Sequence, residues 1–376
     1  MVTTLSRIQL EGFRSIRSLD LTLGRTTVLI GPNGAGKSNL LAFLKLVPMM
    51  ESQSLRLFIG RSGAAESNLH YGPKRTPVMR FRIDAEQDDG AASAYAVRLA
   101  HAAGDSLVFV EESVLARKPG QDQWQTTNLG VGHVESQLKP SSKNPAFWPA
   151  SVVRNWVSRM NFYHFHDTSR ESPLRGHGRQ EESDYLRSDG RNLAPFLYQM
   201  ANSASEVDRA AFDRITRILQ QLAPFVKSLE PVLTEPNDRA HSMVRLDWVD
   251  QKDERFGVHQ LSDGTLRAIA LITALAQPKE RLPQFVCIDE PELGLHPAAV
   301  ASLAGLVRSV SASCQVLLAT QSSILLDEFK ADDVVVVENH AGESRFVPQD
   351  SSSLAAWLDQ YTLSELYQRN VLGGRP

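Results

Sequence analysis

Residues 26–39 read TTVLIGPNGAGKSN, and this stretch decides the fold of the chain. A β-rich run, TTVLI, ends abruptly in a glycine-rich segment, and the following NLLAFLKLV has the apolar spacing of a helix. Strand, glycine loop and helix in this order are the context of a phosphate-binding loop. The segment GPNGAGKS fits the pattern G-x-x-x-x-G-K-[ST], with Gly31, Gly36, Lys37 and Ser38 at its defining positions.

The residue types in this loop have distinct physical roles. Glycines let successive backbone N–H groups face a phosphate, and the helix that begins there adds its positive dipole end. Lys37 would neutralise charge on the β- and γ-phosphates, and the Ser38 hydroxyl would bind Mg²⁺. We therefore expect ATP and Mg²⁺ as ligands; a glycine turn capped by Ser38 is the alternative. The residues expected at the nucleotide are Asn33, Gly34, Ala35, Gly36, Lys37, Ser38 and Asn39.

Two acidic residues follow a second apolar run. The segment FVCIDEPE places Asp289 and Glu290 at the carboxyl end of a buried strand, where open α/β sheets hold their ligands. We expect Asp289 to hold Mg²⁺, directly or through water, and Glu290 to polarise the water that attacks the γ-phosphate. An acidic turn at a strand end is the alternative.

Residues 261–265, LSDGT, precede a strongly apolar helix, LRAIALITALA. A serine hydroxyl and bare backbone amides at the start of a helix form an anion site, here with Ser262 and Gly264. A plain helix N-cap is the alternative. Because one chain would then carry two half-sites for phosphate, the pattern favours a two-fold dimer.

GPNGAGKS, LSDGT and FVCIDEPE resemble the Walker A, signature and Walker B motifs of ABC-type ATPases, in the expected order. LSDGT is similar to the LSGGQ signature, which implies that Ser262 and Gly264 contact the γ-phosphate bound by the other subunit of an ATP-dependent homodimer. ELGLHP after Glu290 and EGFRSI at residues 11–16 resemble the branch of RecF, SMC and overcoming-lysogenisation-defect proteins. That resemblance places Arg14 near the nucleotide; a surface arginine is the alternative.

Four further residues are candidates for a functional role. Many relatives have a γ-phosphate-sensing histidine where LLATQSS has Gln321, and because an amide carries no charge we expect slower or differently gated hydrolysis. His296 either caps the following helix or touches ATP. His164 and His166, at i and i+2 of the predicted strand NFYHFHD, would either bind a metal or form a polar strand end.

The predicted fold class is α/β: a P-loop ABC-type ATPase head with a mixed or parallel sheet covered by helices on both faces, an antiparallel β lobe and an inserted, largely helical lobe. We divide it into residues 1–112 (first half of the head), 113–230 (inserted lobe) and 231–376 (second half). VMRFRID, YAVRL and SLVFVEE alternate as antiparallel strands, residues 113–150 read as exposed connections, and RFGVHQL reads as a strand.

The segment SEVDRAAFDRITRILQQL predicts an amphipathic helix that begins with a capping box formed by Ser205 and Asp208. Its apolar face is expected to hold Val207, Ala211, Ile215, Ile218 and Leu222.

Composition narrows the function classes. A formal net charge of −3 excludes a protein-wide basic field, so any contact with DNA must use a local patch. No stretch approaches the roughly 20 apolar residues that cross a bilayer. Cys287 and Cys314 lie in apolar runs without metal spacing and read as buried thiols, so we expect a cytoplasmic protein with no membrane contact.

HFHDTS and the terminal VLGGRP resemble a group of stand-alone bacterial AAA-family ATPases, some of them in anti-phage defence, often encoded beside a nuclease-like partner. About 50 residues follow Gln321, too few for a TOPRIM nuclease domain, so we expect any nuclease or toxin effector to be a separate chain. The resemblance implies an ATP-driven switch that acts on DNA or on such an effector, in anti-phage defence or DNA repair.

Two other functions stay open. One is a nucleotide-dependent scaffold with little turnover. The other is the ATPase subunit of a transporter, against which the SDG signature, the missing switch histidine and the EGFRSI start all argue.

Overall fold

The computed structural model of the chain describes residues 3–234 and 242–374. These residues divide into two compact units. The first unit comprises Met1–Met160, Pro283–Cys287 and Cys314–Pro376, and the second comprises Asn161–Leu282 and Ile288–Ser313. The predicted boundaries at 112 and 230 stay a prediction about domain organisation.

Runs of strands are followed by runs of helices along the described part of the chain, and single strands alternate with single helices only between residues 263 and 340. The strands are β1 (Thr3–Phe13), β2 (Ile16–Thr22), β3 (Thr26–Ile30), β4 (Val78–Gln87), β5 (Ala92–Ala102), β6 (Ser106–Arg117), β7 (Gln125–Gly130), β8 (Met160–Tyr163), β9 (Gly178–Arg179), β10 (Val226–Thr234), β11 (Met243–Asp250), β12 (Arg255–Gly257), β13 (Phe285–Asp289), β14 (Gln315–Thr320), β15 (Val334–His340) and β16 (Glu343–Pro348). The helices are α1 (Lys37–Glu51), α2 (Leu55–Arg61), α3 (Ala64–Asn68), α4 (Leu138–Ser141), α5 (Trp148–Val157), α6 (Leu193–Ala201), α7 (Glu206–Leu222), α8 (Asp263–Ala276), α9 (Pro297–Val310), α10 (Ser323–Leu326), α11 (Ala355–Leu358) and α12 (Leu363–Gln368).

One sheet of the first unit is antiparallel, with the strand order β2-β1-β4-β5-β6-β7. Its strands alternate buried and accessible residues, because one face packs on the core and the other meets solvent. The predicted meander of β4, β5 and β6 is confirmed. Sequence analysis missed β2 and β7, which extend this sheet at its two edges.

Helix α1 packs on the antiparallel sheet through aromatic residues. Phe43 meets the rings of Phe13 and Phe81 edge to face, with centroid separations of 6.0 Å and 5.1 Å. Such pairs add about 0.5–1.5 kcal/mol beyond the burial of their area. The helix that leaves the glycine loop is therefore held firmly along its length.

The other sheet of the first unit contains β16, β15, β3, β14 and β13 in that order. Strand β3 runs parallel to both β14 and β15, and Ile30 pairs with Thr320 and Val336. This confirms the predicted parallel sheet. Because parallel strands end at the same edge, the segments after Ile30 and after Thr320 leave the sheet side by side.

Helix α8 lies at the centre of the second unit. Every residue from Thr265 to Ala276 is buried, and α7 and α9 both pack against this helix. Strands β10, β11 and β12 form a small antiparallel sheet, with β9 paired to β11. A helix that is apolar on all sides needs such a complete cover.

The structure confirms the helix predicted from Ser205 but corrects its details. Ser205 is the N-cap residue, yet its side chain makes no capping bond, so the predicted capping box is wrong. Asp208 instead accepts hydrogen bonds from the Ser203 hydroxyl at 2.7 Å and from Arg281 at 2.9 Å. Val207 is 56% exposed, because the buried stripe runs along the neighbouring face of the helix. That stripe consists of Asp208, Ala211, Ile215 and Leu219.

Three other segment predictions were wrong in part. The strand predicted for NFYHFHD ends at Tyr163, and the strand predicted for RFGVHQL ends at Gly257. Residues 113–150, predicted as exposed connections, include the end of β6, all of β7 and α4 and the start of α5. The hydrophobic periodicity of these short elements is too weak to predict them, because tertiary packing stabilises them more than their own propensity does. Among the described residues, no helix is both long and apolar enough to span a bilayer.

A buried carboxylate organises the end of the antiparallel sheet. Glu112 is fully buried and accepts hydrogen bonds from the Tyr95 hydroxyl at 2.6 Å, the Ser136 hydroxyl at 2.5 Å and the backbone N–H of Gln137 at 2.8 Å. The His133 imidazole lies 2.7 Å from its second oxygen. Burial, followed by the charge of Glu112, raises the pKa of Tyr95 well above its ordinary value. This network ties strands β5 and β6 to the segment that follows β7.

We predict that Glu112→Ala destabilises the protein by about 3 kcal/mol, because it leaves several buried hydrogen-bond donors without an acceptor. The midpoint of urea unfolding, followed by circular dichroism, measures the effect. Glu111→Ala is the matched control, since the Glu111 side chain is 46% exposed and pairs with Arg98 at the surface. Equal midpoints for both variants would contradict the prediction.

Candidate functional site

The glycine loop between β3 and α1 has the backbone that a phosphate cradle needs. Gly34 and Gly36 have positive φ angles of 79° and 116°, in the left-handed region that favours glycine. Gly36 is the N-cap residue of α1 and provides no side chain to cap it. Because the first N–H groups of a helix have no acceptor inside the helix, an external anion can satisfy them.

Close packing also requires glycine at both ends of the loop. A Cβ atom at Gly31 would lie 2.2 Å from the carbonyl oxygen of Val337 in β15. A Cβ atom at Gly36 would lie 1.9 Å from the hydroxyl oxygen of Ser344 in β16. The loop is therefore pressed against two strands of its own sheet.

Lys37 points its ammonium group back into the loop. Its Nζ donates to the carbonyl oxygens of Gly31 at 2.5 Å and of Pro32 at 3.1 Å, and the residue is 6% exposed. Ser38, directly after it, is exposed. These two acceptors are neutral carbonyl oxygens, and a charged ammonium donor forms stronger hydrogen bonds with phosphate oxygens than with neutral groups.

The turn between β1 and β2 lies against the same loop. Ser15 accepts a hydrogen bond from the Asn39 amide at 2.6 Å, and its hydroxyl is 2.6 Å from that of Ser344. Arg14, the neighbouring residue, has a positive φ of 47°. Its guanidinium donates to Asn68 at 3.1 and 3.0 Å, and burial lowers its pKa. The structure thus brings the Arg14 turn to the glycine loop, and the nucleotide contact of Arg14 stays a prediction.

Gln321 lies at the edge of the sheet where the glycine loop begins. It follows β14 directly and is exposed. The hydroxyl of Thr320 accepts a hydrogen bond from the backbone N–H of Ser322 at 2.9 Å, which fixes the turn around Gln321. Its role in catalysis stays a prediction.

The signature segment of the second unit begins helix α8. Ser262 is exposed and caps this helix, with its Oγ accepting from the Thr265 N–H at 3.2 Å. A Cβ atom at Gly264 would lie 2.3 Å from the carbonyl oxygen of Gly294. The signature and the turn after Glu290 therefore touch through bare backbone.

A buried arginine fastens this contact. Arg267, one turn into α8, donates to the carbonyl oxygens of Phe165 at 2.8 Å and His166 at 3.0 Å, and also to that of Leu293. Burial lowers the pKa of its guanidinium, whereas the charges of Asp263 and Glu290 raise it. Sequence analysis missed Arg267. The available signal was a charged residue inside an otherwise apolar helix, since an arginine is rarely buried without partners.

The acidic pair lies at the end of β13. Asp289 is the last residue of the strand and is partly accessible. Glu290 has a positive φ of 44°, and its Oε2 lies 3.8 Å from Nδ1 of His166. A non-glycine residue in the left-handed region is strained, and such strain clusters at active sites. The geometry makes Glu290 the best-marked catalytic candidate of the second unit.

The structure shows where the three candidate histidines lie. His296 is the N-cap of α9 and accepts from the Ala298 N–H at 3.3 Å, which confirms the capping interpretation. Neither His164 nor His166 lies in a strand, because β8 has already ended. Across residues 3–234 and 242–374, no cluster of three His, Cys, Asp or Glu side chains is arranged to hold a metal.

The residues present fit ATP with a divalent metal. In the first unit, the glycine-loop amides, the ammonium of Lys37 and the hydroxyl of Ser38 are groups suited to a triphosphate with Mg²⁺. In the second unit, the carboxylate of Asp289 is the kind of oxygen ligand that Mg²⁺ prefers. The carboxylate of Glu290, also in the second unit, is of the type that acts as a base in phosphoryl transfer to water, and this role stays a prediction.

Fold and motifs together define the class of this protein, which is a P-loop ATPase of the ABC type, in the branch of RecF, SMC and overcoming-lysogenisation-defect proteins. The family model described as "AAA domain, putative AbiEii toxin, Type IV TA system" matches residues 26–327. Because this match covers most of the chain, the chain belongs to that family.

Individual relatives agree with this assignment. A protein named OLD nuclease, from Thermus scotoductus, is 24% identical over 387 residues, which cover 99% of this chain and 68% of that protein. The fold is that of a crystallised Smc head bound to the C-winged helix domain of ScpA, with a TM-score of 0.56, 16% identity and coverage of 93% and 99% of the two chains. An Smc head with an extended coiled coil, bound to the C-terminal domain of ScpA and derived from Pyrococcus furiosus, matches equally well, with a TM-score of 0.56, 15% identity and coverage of 95% and 99%.

We predict that Gly264→Ala lowers ATPase activity at least about tenfold, because overpacking of about 1–3 kcal/mol forces the signature away from Gly294. Steady-state phosphate release measures the effect. Gly257→Ala is the control, since a Cβ atom there has no neighbour within 4 Å. Unchanged activity of Gly264→Ala would show that the close approach has no functional role.

Proposed function

We propose that this ATPase is a switch in which ATP closes two copies of the chain into a homodimer and hydrolysis reopens them. The observation that carries the proposal is the presence of two helix N-termini suited to one triphosphate. The glycine loop at α1 would bind it in one copy, and Ser262 with Gly264 at α8 would contact its γ-phosphate from the other. Since each copy has both half-sites, a two-fold arrangement satisfies both at once.

The proposed chemistry is hydrolysis of the terminal phosphate. Glu290 accepts a proton from the attacking water, whose oxygen forms a bond to the γ-phosphorus as the bond to the β–γ bridging oxygen breaks. Lys37 donates to the β- and γ-phosphate oxygens, and Gln321 donates an uncharged hydrogen bond. Ser38 and Asp289 would hold Mg²⁺, which neutralises charge on the triphosphate when bound.

The switch is proposed to act on DNA or to control a partner effector, in anti-phage defence or DNA repair. Two comparisons support a partner. The Smc heads that share the fold are crystallised with parts of ScpA, and the related Thermus protein is named a nuclease. A separate nuclease or toxin chain is therefore the partner class that we propose, with a cytoplasmic location.

We predict that Lys37→Ala weakens ATP binding about 30-fold, the loss expected for a charge-assisted hydrogen bond of roughly 2 kcal/mol. Titration with a fluorescent ATP analogue measures the affinity. Lys45→Ala is the control in the same helix. Equal affinities of Lys37→Ala and the wild type would place the nucleotide elsewhere.

We predict that Glu290→Gln slows hydrolysis about 100-fold or more, because it removes a general base but keeps the size of the side chain. Nucleotide affinity should stay unchanged, and ATP should accumulate the dimer. Single-turnover phosphate release and the mass in solution with ATP measure the two effects. Glu280→Gln, on an exposed residue, is the control. A variant as fast as the wild type would remove Glu290 from the catalytic set.

A further inference from the structure

The signature of this chain has a carboxylate at the place where we propose that the triphosphate of a second copy binds. LSDGT places Asp263 where the similar LSGGQ has glycine. Asp263 is the first residue of α8, directly after the exposed Ser262 that would meet a triphosphate. Like charges at such a short separation repel each other. An unbalanced Asp263 would therefore oppose the contact that the proposed function assigns to this helix.

A buried arginine from the segment between β8 and β9, Arg175, binds this carboxylate. Nη2 of Arg175 donates to Oδ1 of Asp263 at 2.7 Å, and the two side chains are 6% and 67% exposed. Asp263 therefore meets solvent on one side and a buried guanidinium on the other. The guanidinium therefore balances the charge of the carboxylate at this contact.

The same guanidinium also holds the backbone on the other side of Ser262. Nη1 donates to the carbonyl oxygens of Val258 at 2.9 Å and Leu261 at 3.2 Å, and Nη2 reaches that of Leu261 at 3.3 Å. Nε donates to the carbonyl oxygen of Thr168 at 3.0 Å. One planar group thus fixes the residue before Ser262 and the residue after it, which suits the rigid fork of an arginine.

The buried charge of Arg175 is balanced by Asp263, just as the charge of Asp263 is balanced by Arg175. Four of the five hydrogen bonds of Arg175 go to neutral carbonyl oxygens, and the fifth goes to the Asp263 carboxylate. A buried cation with neutral partners alone would be costly. The two residues therefore form a pair, and a double variant tests whether their charges balance each other.

We propose that Arg175 is a positioning residue of the signature. It holds Leu261 and Asp263 on both sides of Ser262 and balances the Asp263 charge, so that the start of α8 can accept the triphosphate bound by a second copy of the chain. This inference rests on the proposed homodimer. It assigns a role to the loop between β8 and β9, which lies outside the motifs shared with ABC-type ATPases.

The experiment varies the charge at the contact between Arg175 and Asp263 in the Glu290→Gln background, where we expect ATP to be consumed only slowly. Arg175→Gln keeps a donor for the carbonyls and leaves one negative charge. Asp263→Asn leaves one positive charge, and the double variant restores neutrality. Molar mass by light scattering across an ATP titration gives the ATP concentration for half-maximal dimer. Arg170→Gln, an exposed arginine of the same loop, is the control.

We expect Arg175→Gln to need about tenfold more ATP than the parent for half-maximal dimer, because one negative charge is left near the triphosphate. We expect Asp263→Asn to need less ATP than the parent, because one positive charge is left there. The double variant should return to within about threefold of the parent, since the charges cancel again. ATP affinity of the glycine loop should be unchanged in all of them. Asp263→Asn tests the charge argument even if Arg175→Gln does not fold.

Other outcomes separate the two proposals. A parent that stays monomeric with ATP overturns the homodimer and this inference with it. A parent that dimerises while Arg175→Gln dimerises equally well overturns the inference alone. A double variant as impaired as Arg175→Gln, or an Asp263→Asn variant that dimerises less readily than the parent, overturns the charge balance.

Discussion

The contact between Gly36 and Ser344 constrains the whole first unit. No side chain fits between them, since a Cβ atom at Gly36 would lie 1.9 Å from the Ser344 hydroxyl oxygen. That hydroxyl also contacts the hydroxyl of Ser15, which accepts a hydrogen bond from the Asn39 amide. Arg14 is the residue directly before Ser15 and so lies in the same turn. The glycine loop, the first β-turn and the last strand pair are thus locked together, which holds the N-terminus of α1 in place for the phosphate that we propose it binds. Such preorganisation is what electrostatic catalysis requires.

In the second unit, two buried arginines organise the segment that the proposed dimer uses. Arg267 joins α8 to the turn after Glu290 and to the segment after β8, and Arg175 joins the residues around Ser262. Both guanidiniums bind backbone carbonyls, so they fix the path of the chain and not only the side chains. The anion-binding end of α8 therefore depends on residues far from the signature motif in sequence.

Two of the predicted site residues, Arg14 in the first unit and Glu290 in the second, have left-handed backbone conformations. Arg14 and Glu290 have φ angles of 47° and 44°, which cost energy for residues with a Cβ atom and persist only where the surroundings impose them. The Arg14 turn is fixed by Asn68, and the Glu290 turn is fixed by Leu293, whose N–H donates to the Glu290 carbonyl at 3.2 Å. The chain thus tolerates local strain at the two turns where sequence motifs had already suggested function.

The glycine loop, the signature and the acidic pair could be predicted from sequence because each is local: a few neighbouring residues set the backbone, and strand and helix patterns on either side confirm the context. The buried α8 and the parallel strand β3 follow from the same short-range patterns. The role of Arg175 could not be predicted, since 88 residues separate it from Asp263. Nor could the exposure of Val207, the end of β8 at Tyr163 or the Glu112 network, because burial and pairing depend on which distant surfaces meet. The sequence by itself determined the local motifs that we propose to bind phosphate, because each is set by neighbouring residues. Only the tertiary structure decided which distant side chains hold these motifs in place, because such contacts depend on how the chain folds.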